Sequence, residues 1–192
     1  MSAPLSAAFF DRPPEVVAPD LLGSTLIHLL PDGQRVGGLI LETEAYLPHG
    51  DPAAHSARGK TPLTAPQFMA GGTLYIHPMR QYVGMDIVTQ GPELPGSVLI
   101  RALAPTAGLP FMHANRHTAN PHRLTDGPGK LCQALGIHRG LSGQNVTDPT
   151  CAVTVYARPV GWTEDIQRTP RIGISKGTDK LLRFCVDKPL PR

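Results

Sequence analysis

Two carboxylates and a phenol occupy alternate positions in an apolar segment, residues 39–46. Successive side chains of a β-strand point to opposite faces, so Glu42, Glu44 and Tyr46 would share one face with Ile40. The other face carries Leu39, Leu41, Thr43 and Ala45 and would pack into the core. Because ionised carboxylates are rarely buried without partners, the polar face borders either water or a cleft. In a cleft, a carboxylate could take a proton from a water molecule; on a solvated sheet face it would have no chemical role.

Two further residues could join these carboxylates. Arg101 stands alone among the apolar residues of the strand-like segment 97–103. A buried arginine needs a carboxylate partner, and Glu42 or Glu44 is the natural candidate. His55 lies in a loop that follows the glutamate segment and could reach its end. A lone histidine is more often structural or merely exposed than functional.

The elements that must position these residues follow from hydrophobic periodicity and from the many prolines and glycines. Strands are predicted over 24–30, 36–46, 73–77, 83–89, 97–103 and 152–158, and helices over 13–22, 105–117 and 129–137. Loops are predicted over 47–70, 119–128 and 138–150. No linker divides the chain, so residues 1–192 are expected to form a single domain. The predicted fold class is α+β, with a curved, barrel-like, mostly antiparallel sheet and peripheral helices.

The charge of the chain is unevenly distributed. Residues 1–110 hold six Lys or Arg against nine Asp or Glu, and residues 111–192 hold twelve against six. A basic C-terminal part suits a polyanionic partner, although an ordinary basic surface would have the same composition. The three cysteines form no CxxC pair, and there is no signal-peptide pattern or long apolar run. We therefore expect a soluble, intracellular, cytoplasmic protein without a disulfide framework.

A set of short segments, in a fixed order, carries a resemblance to a known family. They are Leu21-Leu22-Gly23, Glu42-Thr43-Glu44-Ala45-Tyr46, Ala53-Ala54-His55-Ser56, Gly72-Thr73-Leu74-Tyr75, Val98-Leu99-Ile100-Arg101-Ala102-Leu103, Gly127-Pro128-Gly129-Lys130-Leu131-Cys132-Gln133-Ala134-Leu135, Arg171-Ile172-Gly173-Ile174 and Leu182-Arg183-Phe184. Together they resemble the alkyladenine (3-methyladenine) DNA glycosylases and cover about residues 20–186.

The resemblance implies a function and a set of roles. It implies a base-excision-repair enzyme that flips alkylated purines, such as 3-methyladenine and 7-methylguanine, out of DNA and hydrolyses their N-glycosidic bonds, with hypoxanthine as a further substrate. Glu44 would be the general base that activates a water, and Arg101 would orient that carboxylate. Tyr46 would stack on the base, His55 would contact the base or sugar-phosphate, and the backbone of Ala53 would face the base edge. No lysine is implied as a Schiff-base nucleophile, so no strand-cleaving step is expected.

The chain departs from the family pattern between residues 72 and 87, where it is one residue shorter. His77 replaces the second stacking aromatic, and the side chain that fills the gap left by the flipped nucleotide is Met79 as first choice or Arg80 as second. Asp86 stands where the family tends to have asparagine. An ionised carboxylate only accepts hydrogen bonds, so we expect a preference for cationic alkylpurines over neutral hypoxanthine.

Other patterns carry weaker predictions. Lys130, after Gly127-Pro128-Gly129, fails the phosphate-loop pattern, but at a helix N-terminus it could hold one DNA phosphate or belong to a plain helix cap. His113, His117 and His122 lack accompanying Glu or Cys residues, so no metal is expected, nor any other cofactor. The expected partner is double-stranded DNA with damaged purines, bound by a monomer. The alternatives are a non-catalytic damaged-DNA-binding module on the same scaffold, a helix-hairpin-helix glycosylase suggested by Leu94-Pro95-Gly96, and a hydrolase of free nucleosides or glycans.

Overall fold

A computed structural model describes residues 3–186. Its helices are α1 (Ala7–Phe10), α2 (Pro14–Asp20), α3 (Leu109–Arg116) and α4 (Pro128–Leu135), and its strands are β1 (Thr25–Leu29), β2 (Arg35–Tyr46), β3 (Leu74–Met79), β4 (Tyr82–Thr89), β5 (Gly96–Ala107), β6 (Val153–Tyr156), β7 (Gln167–Thr169) and β8 (Arg183–Cys185). Short 3-10 helices at His55–Arg58, Ala65–Phe68, Pro121–Arg123 and Arg139–Leu141 lie in the predicted loops or their margins.

All strand pairs among the described residues are antiparallel, in the order β3-β4-β5-β2-β1-β6, with β8 pairing both β2 and β7. The predicted α+β class with a curved antiparallel sheet is therefore confirmed. The long strand β2 lies at the centre, because it pairs with β1 through its first half and with β8 through Glu42–Glu44. The sheet thus holds both glutamates in its interior.

The helix predicted over 105–117 begins later than expected. Strand β5 continues to Ala107, where residues 105–107 pair with Gly37 and Gly38 of β2. The helix α3 starts only at Leu109, after Gly108 has turned the chain with a φ of 74°. Pairing across the sheet therefore outweighed the helical pattern of the local sequence.

Close packing of the central strands explains two glycines in β2. A Cβ atom at Gly38 would lie 2.0 Å from the carbonyl oxygen of Ala104, and one at Gly37 would lie 2.0 Å from that of Leu26. Real atoms cannot approach so closely, so only glycine lets the neighbouring backbones come together here. The pairing of β2 with β5 also shifts register between these two glycines.

The alternation predicted for β2 is wrong in its first half. Ile40 is fully buried in the core, whereas Leu39 and Leu41 are half-buried. The pairing of β2 with β5 shifts register between Ile40 and Glu42 and again between Glu42 and Thr43, as in a β-bulge. Because a bulge opposes two residues to one, it reverses which face each side chain takes.

The helices cover the sheet and complete the core. Helix α2 packs against β2 and β5, and α4 packs against β4, β5 and α3. The Thr43 hydroxyl donates to the carbonyl of Ala18 in α2 at 2.9 Å, which ties that helix to the centre of β2. Within residues 3–186, no helix is both long and apolar enough to span a membrane.

Candidate active site

A cavity of about 520 Å³ is lined by residues of β2, β3, β4 and β5. This volume lies within the range of small-ligand pockets. All the predicted site residues except Glu44 line it: Tyr46, Ala53, His55, His77, Met79, Arg80, Asp86, Arg101 and Lys130. Residues 127–130 at the start of α4 and residues 172–174 complete the wall. The structure thus gathers residues that lie far apart in the sequence.

Glu44 lies directly behind the cavity wall, with no exposed surface. Its Oε1 accepts the backbone N–H of Ile172 at 2.7 Å, and its Oε2 accepts the Tyr46 hydroxyl at 2.9 Å. The Nη1 of Arg101 lies 3.2 Å from Oε2. Tyr46, Arg101 and Ile172 all line the cavity, so the hydrogen-bond partners of Glu44 connect it to the cavity wall.

Arg101 joins the two glutamates, as its isolation among apolar residues predicted. Its Nε donates to Oε1 of Glu42 at 2.6 Å. The same oxygen accepts Nε of Arg183, also at 2.6 Å, from the short strand β8. Glu42 is therefore the shared anchor of two arginines, and one of them extends to Glu44.

The two carboxylates have opposite electrostatic environments. Burial raises the pKa of Glu44 above its usual value, and the charge of Arg101 and the Ile172 N–H only partly oppose this. Burial would also raise the pKa of Glu42, but the hydrogen bonds from Arg183 and Arg101 outweigh it and lower that pKa. Glu42 therefore stays ionised over a wide pH range, while Glu44 is a carboxylate whose proton affinity is increased.

A second group of cavity-lining residues lies on the β3–β4 hairpin. The Nε2 of His77 lies 3.1 Å from Oδ1 of Asp86, and the Ser97 hydroxyl donates to Oδ2 at 2.8 Å. The His77 ring stacks on Tyr75, with ring centres 5.0 Å apart, and Tyr75 in turn hydrogen-bonds His55 at 2.9 Å. These contacts hold two imidazole rings at the cavity in defined orientations.

The charge states of the two imidazoles differ. Burial would lower the pKa of His77, but the charge and hydrogen bond of Asp86 outweigh it and raise that pKa. Burial and the neighbouring His77 lower the pKa of His55. Protonation is therefore favoured at His77, which lies against the Asp86 carboxylate, and disfavoured at His55.

The rim of the cavity is formed by the tip of the hairpin and by α4. Arg80 occupies the turn with a φ of 55° and is exposed, and Met79 before it is half-buried. Tyr82, which sequence reasoning missed, is also exposed and lies against Gly129, where a Cβ would come within 3.0 Å of the tyrosine. Lys130 is paired with Asp126 through two contacts of 3.0 Å.

Sequence reasoning also missed an ion pair behind the wall. The Arg171 guanidinium binds both oxygens of Asp51, at 2.6 and 2.7 Å, and both side chains are fully buried. In the sequence, the Arg171 segment stands out only as a family match, and Asp51 carries no signal beyond its place before a proline. Their partnership spans 120 residues and depends on the fold.

The arrangement is suited to hydrolysis at a bound planar molecule. It combines a buried carboxylate with increased proton affinity, an arginine that holds it, and aromatic rings around a cavity. Among the described residues, no group of three or more His, Cys, Asp or Glu side chains is placed to hold a metal ion.

Comparison with known proteins gives the class of this chain. The family model for methylpurine-DNA glycosylase (MPG) matches residues 8–189. A protein of Rhodopirellula baltica named "Putative 3-methyladenine DNA glycosylase" is 42% identical over 189 residues, which cover 95% of this chain and 80% of that protein. Proteins with the same name from Latilactobacillus sakei and Methanoculleus marisnigri are each 43% identical, over 90% and 94% of this chain and 81% and 93% of theirs.

The fold, the site and these matches define a DNA N-glycosylase, an enzyme of DNA repair whose substrate is DNA. The chain belongs to the methylpurine-DNA glycosylase family.

Proposed function

We propose that this enzyme acts as a monomer in the cytoplasm on double-stranded DNA that contains damaged purines. It extrudes an alkylated purine, 3-methyladenine or 7-methylguanine, into the cavity and releases the free base, with hypoxanthine as a further substrate. The observation that carries the proposal is the buried Glu44, held by Arg101 directly behind a cavity that Tyr46 and His77 line. Extrusion costs least for damaged or mismatched bases, which contributes to selectivity.

In the proposed reaction, Glu44 takes a proton from a water whose oxygen attacks C1′ of the extruded nucleotide. The C1′–N bond breaks, its electron pair leaves with the base, and the sugar keeps a hydroxyl at C1′. An N3- or N7-alkylated purine is already cationic and leaves as a neutral base. The Glu44 carboxylate also stabilises the positive charge that grows on the sugar.

The hydrogen bonds of Glu44 leave one acceptor position of its carboxylate for such a water. An ionised carboxylate offers about four acceptor positions. The backbone of Ile172, the Tyr46 hydroxyl and Arg101 occupy three of them. A water at the remaining position would be held by the base that activates it.

Tyr46 and Lys130 fit the remaining parts of the proposal. A cationic purine stacked on the Tyr46 ring would gain about 0.5–2 kcal/mol from cation–π attraction. The Lys130 ammonium is paired with Asp126. The resemblance implies no lysine as a Schiff-base nucleophile, so we propose simple hydrolysis without strand cleavage.

The test is base release from duplexes that carry a single 7-methylguanine or hypoxanthine. We expect alkali-labile abasic sites with the wild type, and no protein–DNA adduct trapped by borohydride. Glu44→Gln should lower the single-turnover rate by about 10²–10⁴-fold. The matched control is Glu15→Gln, because Glu15 is exposed in the first turn of α2.

Each other outcome contradicts a defined part of the proposal. Lesion DNA that is bound but never cut by the wild type would indicate the non-catalytic binding module. Full activity of Glu44→Gln would remove Glu44 from the mechanism. Binding that does not weaken as salt rises would argue against contacts with the phosphate backbone.

A further inference from the structure

The Asp51–Arg171 ion pair lies at the junction of three parts of the cavity wall. Arg171 Nη1 also donates to the carbonyl of Ala45 at 3.0 Å, directly before Tyr46. The guanidinium carbon lies 4.6 Å from the centre of the Tyr46 ring, so the cation packs on that ring. Arg171 therefore holds both the backbone and the side chain at the end of β2.

Asp51 extends the same arrangement into the loop after β2. Its Oδ1 accepts the backbone N–H of Ala53 at 3.2 Å, and its Oδ2 accepts that of Leu47 at 3.0 Å. Ala53 lines the cavity. The carboxylate that binds Arg171 thus also sets the course of the loop that leads to Ala53 and His55.

The third part is the chain that continues from Arg171. The next residue, Ile172, donates its N–H to Glu44, while its side chain is 53% exposed at the cavity. An exposed segment has little packing of its own to fix that N–H within hydrogen-bond distance. The buried side chain of Arg171, one residue away, provides the attachment that the exposed Ile172 lacks.

Stability alone does not account for this pair. Burying two charges costs about as much free energy as their attraction returns, and apolar residues of similar size are often equally stable. Arg171 Nε is buried without a hydrogen-bond partner among the described residues, so the guanidinium is not even fully satisfied. The guanidinium is a planar group that binds a carboxylate through two contacts and packs on an aromatic face, so its geometry orients the groups around it.

We propose that Arg171, locked to Asp51, is a positioning residue that fixes the Ile172 N–H on Glu44 and the stacking face of Tyr46. This inference rests on the proposed function, because it concerns how the base of that reaction is held. Arg171 acts through Glu44 and Tyr46 and does not itself contact the substrate.

The primary variant is Arg171→Lys, which keeps a positive charge beside Asp51 but loses the two-pronged contact and the planar group. We expect its single-turnover rate on 7-methylguanine duplex to fall by at least about tenfold, since displacement of a reacting group by about 1 Å can cost about a hundredfold. Affinity for undamaged duplex should stay within about twofold, because phosphate contacts govern it. The control is Arg12→Lys, since Arg12 also pairs with an aspartate, Asp20, at 2.9 Å and packs on an aromatic ring, but away from the cavity.

The pH profile separates positioning from loss of structure. The Ile172 N–H favours the charged form of Glu44, so a loosened contact raises the pKa of Glu44 and moves the acid limb of the rate profile to higher pH. The other charged or hydrogen-bonding groups that face this carboxylate are Arg101, Glu42, Tyr46, Arg183 and residue 171 itself. The variant keeps a positive charge at position 171 and leaves the other four residue types unaltered. A merely less stable enzyme would lose rate without this shift.

Asp51→Asn provides a second variant if Arg171→Lys does not fold. It preserves shape and one acceptor for Arg171, and the same shift of the acid limb is expected. Wild-type rates and an unchanged acid limb in the folded variant would overturn the inference. If the wild type itself releases no base, the proposed function fails instead, so the two failures are distinguishable.

Discussion

The ion pair of His77 and Asp86 makes substrate preference depend on pH. Below the raised pKa of His77 the pair is neutral overall, and above it Asp86 leaves a net negative charge at the cavity. The excision rate of a cationic alkylpurine, relative to that of neutral hypoxanthine, should therefore increase as pH rises through that pKa. In Asp86→Asn the negative charge is absent, and burial then lowers the pKa of His77, so this increase should disappear.

The magnitude follows from the position of the pair in the wall. Both side chains are nearly buried, with 8% and 6% exposure, and both residues line the cavity. Two unit charges about 4 Å apart interact by about 1 kcal/mol in water and about 4 kcal/mol at the effective dielectric near a protein surface. Taking the lower figure, we expect the ratio of 3-methyladenine to hypoxanthine excision above the raised pKa of His77 to be at least about fivefold higher in the wild type than in Asp86→Asn.

The assay is single-turnover excision of 3-methyladenine and of hypoxanthine, in the same duplex context, from pH 6 to pH 8. The wild-type ratio should rise across the range and meet that of Asp86→Asn at the acid end. Asp32→Asn, in the exposed turn before β2, is the matched control and should follow the wild type. Parallel ratios for wild type and Asp86→Asn at every pH would refute the reasoning.

The same pair predicts a pH dependence of stability. The pKa of His77 is raised in the folded protein, so its contribution to the free energy of unfolding is fully present below its unfolded value of about 6.5. This contribution is lost as pH rises through the folded pKa. The difference in melting temperature between wild type and Asp86→Asn should shrink over that pH window. A constant difference would show that Asp86 does not raise the pKa of His77.

Two further predictions concern the sheet and the hairpin tip. Gly38→Ala should lower the unfolding free energy by about 1–3 kcal/mol, because its Cβ would lie 2.0 Å from the Ala104 carbonyl. Thermal melting measures this loss, and the control is Gly91→Ala, because a Cβ at Gly91 would meet open space. Met79→Ala should weaken binding of lesion duplex more than Arg80→Ala does, as measured by fluorescence of a base analogue opposite the lesion. The reverse order would make Arg80 the side chain that fills the gap left by the flipped nucleotide.

The sequence predicted most of the strands, because period-two apolar segments bounded by proline and glycine turns specify them locally. It also predicted that Arg101 needs a glutamate, because a lone arginine among apolar residues cannot be buried unpaired. The three-residue strands β7 and β8 were missed, since segments so short carry no period. Yet β8 pairs with β2 at the glutamates and brings Arg183 to Glu42.

The bulge in β2 and the enclosure of Glu44 could not be predicted for a different reason. Ile40 and Leu41 are equally apolar, so composition does not reveal which of them faces the core. One partner of Glu44 is a backbone N–H 128 residues away, and a backbone group has no residue type to recognise. Both features depend on long-range packing, which local patterns do not encode.

The division of labour between Glu42 and Glu44 follows from that packing. Only two positions separate them, but Glu42 receives two arginine hydrogen bonds that lower its pKa, and Glu44 lies deeper, where burial raises its pKa. Two carboxylates whose environments push their pKa values apart are suited to different tasks. Glu42 is fitted to remain charged and hold Arg101, and Glu44 is fitted to exchange a proton with water. Glu42→Gln should therefore change the reaction rate only by loosening the hold on Arg101.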